Sequence, residues 1–437
     1  MADSTGLLLR GARVLDPASG TDAVLDVRVL GEQIVEVGAE LASRGDTVVD
    51  CAGLWVAPGF VDLHTHLREP GFEEAEDVAT GCAAAAAGGY TAICSMANTD
   101  PVADNKAVVE MVWRRGVEVG LADVFPVGAI TKGLQGKELV EFGELQSSAA
   151  QVDFFSDDGI PVANAQIMRR ALQYATAFDV VICNHAEEPT LTTDAQMNEG
   201  ATSGLLGLPG WPHEAEEVMI ARDLILAHGV NGRLHVPHVS TQGAVTLIRE
   251  AKLRGIRVTA EVTPHHLSLD DSSVRSYDPV NKVNPPLRTV ADVKALRAAL
   301  ADGTIDAVAT DHAPHPPESK DQEWEHAPCG MLGLETAFSV IVTDLVNTGE
   351  LDLLTAVARF TTGPASVRNV RGHGGAVSAG SPANLVVIDP SATWTVVGTA
   401  LQSRARNTPF EGRELTSRPV HTLLRGRFTL RDGRLQH

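Results

Sequence analysis

The sequence predicts an α/β fold, a (β/α)8 TIM-like barrel with a small β-sandwich domain formed from both termini. Three observations predict it. Through the middle of the chain about eight strand-like apolar runs alternate with helix-like runs, as in a parallel sheet whose strands are joined by helices. Both ends carry short β-like runs separated by Gly, Asp and Ser turns. The apolar runs of the middle repeatedly stop at His or Asp, which is where a barrel of this kind carries its chemistry.

At 437 residues and 44% hydrophobic, the chain can bury a large core, with one big domain and an accessory one. Its formal charge of -21 argues against nucleic acid and anionic membrane surfaces as partners. The cysteines (Cys51, Cys82, Cys94, Cys183 and Cys329) include no Cys-x-x-Cys pair, so neither a thiolate zinc site nor a disulfide framework is expected. A reducing cytoplasm fits best. Residues 1–16 lack a sustained apolar core and no later run approaches membrane-spanning length, so neither export nor membrane insertion is expected.

In chain order, residues 1–57 hold β-like runs at 7–9, 24–29, 34–37 and 47–49, and residues 374–437 return to that texture at 383–388, 393–397, 421–424 and 428–430. These two stretches are read as one composite β-sandwich domain, and 58–373 as the barrel. Barrel strands are expected at 60–66, 91–97, 124–130, 152–156, 180–184, 233–238, 257–262 and 307–310. Helices are expected at 76–87, stopped by Gly88-Gly89, and around 166–177, 215–227, 243–253 and 290–300. The acidic run from Glu73 to Asp77 reads as a helix N-terminus, where carboxylates favour the dipole. Residues 316–328 are charged, flanked by proline and without apolar period, and read as a long loop of the kind that forms lids at barrel mouths.

The first barrel strand ends in His64-Thr65-His66. Residues i and i+2 of a strand share a face, so both imidazoles can reach one metal ion, although such a pair alone is equally a solvated one. Later strands end in Asp157-Asp158-Gly159, Asn184-His185, Pro237-His238 and Thr310-Asp311-His312. Four imidazoles and two carboxylates at one mouth could hold two divalent ions with a carboxylate between them. Such a donor set without thiol suits Zn2+, with Mn2+ or Co2+ as substitutes. Two ions about 3.5–4 Å apart would share a hydroxide and polarise a carbonyl, which points to hydrolysis of an amide-like bond. Asp311, at the end of the last strand, is placed to shuttle a proton to the departing nitrogen.

The series His64-Thr65-His66-Leu67-Arg68-Glu69-Pro70-Gly71, Met96-Ala97-Asn98-Thr99-Asp100-Pro101, Ser156-Asp157-Asp158-Gly159, His235-Val236-Pro237-His238-Val239-Ser240-Thr241, Thr263-Pro264-His265-His266 and Thr310-Asp311-His312-Ala313-Pro314-His315 resembles the dihydroorotase family, long bacterial type, of the cyclic amidohydrolase superfamily. The resemblance covers nearly the whole chain. It implies reversible hydrolysis of (S)-dihydroorotate to N-carbamoyl-L-aspartate in pyrimidine biosynthesis. It makes His64 and His66 ligands of one metal ion, His185 and His238 ligands of a second, Asp158 the bridge, and Asp311 both ligand and proton shuttle. For substrate it implies His66, with Arg68, Asn98 and His315 around the free carboxylate, and Asn284 with the backbone at Cys329-Gly330 around the ring. Arg68 lies two residues beyond His66, so strand alternation would carry its side chain into the mouth from the same side as both histidines, and an Arg fork suits a carboxylate; the competing role for Arg68 is an ion pair with Glu69.

The chain departs from the family at Ala97, often proline, and at Cys329, aromatic in some members. Many relatives bridge their metals with a carboxylated lysine, but there is no lysine here between Lys137 and Lys252. Asp158 is therefore the expected bridge and Asp157 the alternative. His235 is expected to be structural, His265 and His266 to support or pack, and His312 has no assigned role. A homo-oligomer, taken as a dimer, is expected, and association with aspartate transcarbamoylase is known among family members. The rival readings are another cyclic amidase such as allantoinase, and an inactive scaffold protein.

Overall fold

In the computed structural model, residues 6–436 are described, so the outermost positions of the expected sandwich and of the N-terminal stretch, 1–5 and 437, lie outside the description. Alternating Val, Leu and Ile build β1 (Leu7–Asp16), β2 (Thr21–Leu30), β3 (Gln33–Gly38), β4 (Thr47–Asp50) and β5 (Trp55–Pro58). The barrel strands follow: β6 (Phe60–Thr65), β7 (Tyr90–Ser95), β8 (Asp123–Pro126), β9 (Phe154–Ser156) and β10 (Val181–Cys183). A small ribbon of β11 (Met197–Asn198) and β12 (Gly210–Trp211) precedes β13 (Arg233–Val236), β14 (Val258–Val262) and β15 (Ala307–Val308). The chain ends in β16 (Leu385–Thr395), β17 (Glu414–Leu424), β18 (Arg427–Arg431) and β19 (Arg434–Leu435).

The terminal strands form one sheet, in the order β19-β18-β17-β16-β5-β1-β2-β3 with β4 on β1, so both chain ends share one structure. The runs expected at 383–388 and 393–397 are a single strand, β16. Its pairing with β17 shifts register between Asp389 and Thr393, which lets the ladder run past Pro390. The seam between sheet and barrel is Gly59. A Cβ there would lie 2.3 Å from the Thr91 side chain, so only glycine lets β6 leave β5 so abruptly.

The barrel strands run parallel in two arcs, β6-β7-β8 and β9-β10-β13-β14-β15. Bridges between Gly128 and Phe155 and between Thr65 and His312 link the arcs. Buried Asp62 reinforces the second closure by accepting from the backbone of His64 (3.0 Å) and Thr310 (3.1 Å). All eight expected strands are present, several shorter than expected; the third ends at Pro126. The first helix, Val78–Ala87, is almost wholly buried, and its alanines allow it to lie close on the strands. Asp77 caps it by accepting from Thr80 N at 2.8 Å. Beside it, the rings of Phe60, Tyr90, Phe338 and Phe360 pack with centroids 4.7–6.4 Å apart.

Candidate active site

Strand ends and the loops beyond them bring the expected residues to one cavity of about 240 Å3, lined by His66, Arg68, Asn98, Asp158, His185, His238, Asn284, Asp311, His315, Cys329 and Gly330. His64 lies beneath it, fully buried. The Asp158 carboxylate faces two pairs of imidazoles. Its Oδ2 is 3.3 Å from His64 Nε2 and 3.4 Å from His66 Nε2, while its Oδ1 is 3.6 Å from His185 Nδ1 and 3.4 Å from His238 Nε2. Asp311 joins the first pair, with Oδ1 3.1 Å from His66 Nε2 and 3.5 Å from His64 Nε2. Asp157 turns the other way and accepts from the backbone of Ile130 and Thr131.

Three of these residues depart from regular backbone: Arg68, His238 and Asp311 have φ of 62°, 33° and 47°. This left-handed region costs a residue with a side chain about 1–3 kcal/mol, a cost that gathers where side chains must be aimed. For Arg68 it corrects the expectation that strand alternation carries the side chain into the mouth. The strand ends at Thr65, and a turn does the aiming.

The family model described as "Dihydro-orotase-like" matches residues 53–244. The chain is 56% identical over 428 residues to a dihydroorotase of Streptomyces coelicolor, covering 98% of this chain and 99% of that one. It is 51% identical over 431 residues to a dihydroorotase of Mycobacterium tuberculosis, again covering 98% and 99%. This chain belongs to the dihydroorotase family. In fold it is similar to L-hydantoinase from Arthrobacter aurescens (TM-score 0.88, 24% identity, 99% of this chain and 97% of that one). It is also similar to D-hydantoinase from a Bacillus species (TM-score 0.85, 26% identity, 98% and 96%).

The donor set fits the metal dependence of a dihydroorotase. Nitrogen and carboxylate oxygen atoms of His64, His66 and Asp158, and of Asp158, His185 and His238, form two buried groups, each with its atoms within 4.8 Å of one another. His64 Nε2 is buried without a hydrogen-bond partner, and His185 Nδ1 and His238 Nε2 face each other at 3.0 Å. Orphaned and opposed ring nitrogens of this kind are costly unless a cation takes them up. No lysine lines the cavity among the described residues. Burial would raise the Asp158 pKa, but His64, His185 and His238 outweigh it and hold the carboxyl well below its usual range.

At the substrate end, Asn98 accepts through Oδ1 from His66 Nδ1 at 3.0 Å and donates through Nδ2 to Asp158 O at 3.3 Å. His315 donates through Nε2 to Cys329 O at 2.8 Å, and burial followed by Arg68 pushes its pKa down to about 3, so its ring is neutral. Arg68 donates through Nε to Pro314 O. The pairing with Glu69 does not form: Glu69 accepts from Val78 N and lies 3.4 Å from Arg115.

Sequence reasoning missed three carboxylates. Glu261 lies 3.0 Å from His64 Nδ1 and 3.1 Å from His235 Nε2, so His235 faces the barrel interior and supports a candidate ligand through Glu261. Glu187 Oε2 contacts both His185 Nε2 (3.1 Å) and Asn284 Nδ2 (3.0 Å), joining the two ends of the cavity. Glu76 turns inward from the acidic run and lies 3.4 Å from His312 Nε2. The available signal was the pairing of each histidine with an acid, but sequence does not say which acid. His266 packs as expected, tied to Thr263 Oγ1 and Pro285 O, and His265 is buried against it. The 316–328 segment is pinned down. The Lys320 ammonium donates to carbonyls of Pro279, Lys282 and Pro328, and Trp324 is buried.

Proposed function

We propose that this chain catalyses the reversible hydrolysis of (S)-dihydroorotate to N-carbamoyl-L-aspartate, with His64, His66, Asp158 and Asp311 holding one Zn2+ and Asp158, His185 and His238 a second. The observation that carries the reading is one cavity that joins Arg68, a guanidinium without a carboxylate partner among the described residues, to the His and Asp cluster. Bound ions would bring the pKa of a water towards neutrality and polarise the ring carbonyl. Asp311 takes the proton of the attacking water and returns it to the ring nitrogen as the amide bond breaks. Arg68, with Asn98 and His315, binds the ring carboxylate. Asn284 and the backbone at Cys329-Gly330 orient the ring, so that the amide carbonyl faces the cluster. Between its roles Asp311 stays close to His66, whose contact at 3.1 Å aims the carboxylate.

The division into 1–57 with 374–437 and 58–373, a homodimer and a cytoplasmic location belong to the same proposal. No helix among the described residues is long and apolar enough to cross a membrane.

The test combines metal analysis with turnover of dihydroorotate, allantoin and hydantoin by the parent and by Arg68→Lys. About two ions per chain and a preference for dihydroorotate are expected. Arg68→Lys should lower kcat/KM for dihydroorotate roughly 10–100-fold at unchanged metal content, because an ammonium cannot make the two parallel bonds of the guanidinium. A parent that prefers a neutral ring would sink the substrate assignment.

A further inference from the structure

Residues 403–407 follow β16 and lie within the stretch that the sequence assigns to the terminal sandwich, yet their side chains and backbone reach the barrel mouth. Asn407 is 4% exposed. Its Nδ2 donates to Ala313 O at 3.0 Å and to Gly330 O at 3.1 Å, its Oδ1 accepts from His315 N at 3.2 Å, and its backbone O accepts from Leu332 N at 3.1 Å. One side chain thus ties together the two mouth segments that carry His315 and Cys329-Gly330. Just upstream, Ser403 Oγ and Arg404 N donate to Glu76, the carboxylate beside His312.

His315 needs such a tether. It lines the active-site cavity on one side and a second cavity of about 310 Å3 on the other, so packing alone does not fix it. Its approach to the opposite segment is tight. Gly330 has φ of 144°, and a Cβ there would lie 2.7 Å from His315 Nε2, so a small displacement of either segment changes the shape of this wall.

We propose that Asn407 is a positioning residue for substrate, acting through His315 and Gly330 to set the wall that meets the carboxylate and ring of dihydroorotate. The inference rests on the functional reading above. Because this wall touches the unreacting part of the substrate, its loss weakens ground state and transition state alike and appears in KM.

The experiment measures KM, kcat, metal content and thermal unfolding for the parent, Asn407→Ala, His315→Ala and the double variant on dihydroorotate. Asn407→Ala should raise KM roughly tenfold with kcat within about threefold of the parent and metal content unchanged, the scale of losing one or two oriented hydrogen bonds. The double variant should raise KM by clearly less than the product of the single effects, because both act on one wall. Should Asn407→Ala fail to fold, Asn407→Asp carries the test, since it keeps the acceptor for His315 N–H and turns the donor into an acceptor facing two carbonyls. It too should raise KM at near-parental kcat. A parental KM in the folded variant, single effects that multiply, or a fall in kcat with metal loss would each overturn the proposal. A parent inactive on dihydroorotate would overturn the functional reading with it, whereas an active parent with an unaltered variant overturns this inference alone.

Discussion

Two arginines at opposite ends of the barrel illustrate two uses of a poorly solvated charge. At the floor, Arg368 follows the helix Thr362–Val367 and lies between the rings of Phe125 and Phe154, 5.7 and 5.5 Å from their centroids. It lies 2.6 Å from Asp153 and donates to Cys94 Sγ at 3.4 Å. Burial opposes its charge, but Asp153 more than offsets that and raises its pKa. At the mouth, Arg68 is also held in a poorly solvated place, and burial wins: its pKa is lowered, with more distant acids only partly offsetting the effect. The floor matches its charge within the chain and closes the barrel. The mouth leaves a fork of donors facing a cavity, which is what recognition of an external carboxylate requires.

That contrast is broken most directly at the mouth. Asp311→Asn should cut turnover roughly 10²–10⁴-fold, the range for losing a positioned acid-base group, while thermal unfolding changes little. Metal content measured on the same sample separates proton transfer from ligation, and turnover within about tenfold of the parent would assign the proton to another group. At the floor the expected pattern is the reverse. Arg368→Met should destabilise the fold by about 2–4 kcal/mol, towards the lower part of the range for a broken buried pair because Asp153 keeps 23% exposure, and leave kcat/KM of the folded protein near that of the parent. Denaturant unfolding checks it; an unfolding midpoint equal to the parent's would mean that the floor pair is dispensable.

Glu261 sharpens the comparison, since it is buried like a floor residue but bonded to His64. Glu261→Gln should weaken metal binding by the metal-free protein roughly 10–100-fold, measured by competition with a chromogenic chelator. Unaltered affinity would make it a floor-type structural charge. The smallest effect is expected at Asp292, which is 3.0 Å from His213 Nε2 and caps the helix Val290–Asp302 from within a box with Thr289. Burial would raise its pKa, but His213, Thr289 and the Gln242 N–H outweigh it and hold it below the ordinary carboxylate value. The unfolded state therefore binds the proton first as pH falls. The stabilisation is fully present above about pH 4 and is lost as pH drops through the lowered folded value. Asp292→Asn should cost about 1–2 kcal/mol at neutral pH, and the gap to the parent should narrow towards pH 3 in urea titrations. A gap independent of pH would mean that the charge contributes nothing.

The sequence by itself determined the eight strand–helix units, the shared terminal sheet and the strand-end residues His64, His66, Asp158, His185, His238 and Asp311. The strands and helices are written in local periodicity, since a strand or helix that buries one face must repeat its apolar residues at a fixed spacing, and the choice of those six residues came from the motif series that resembles the dihydroorotase family. The absence of lysine from 138 to 251 was legible there as well, and no lysine lines the cavity among the described residues. Only the tertiary structure decided that the two oxygens of Asp158 face different imidazole pairs and that Asp157 turns to Ile130 and Thr131. It alone decided that Arg68 reaches the cavity from a left-handed turn. Glu261, which meets His64 across 197 positions, and Asn407, which meets His315 across 92, were invisible for the same reason. A buried carboxylate or amide is spelled like a solvated one, and its partner is set by how strands close and segments cross, not by anything within a few residues of it.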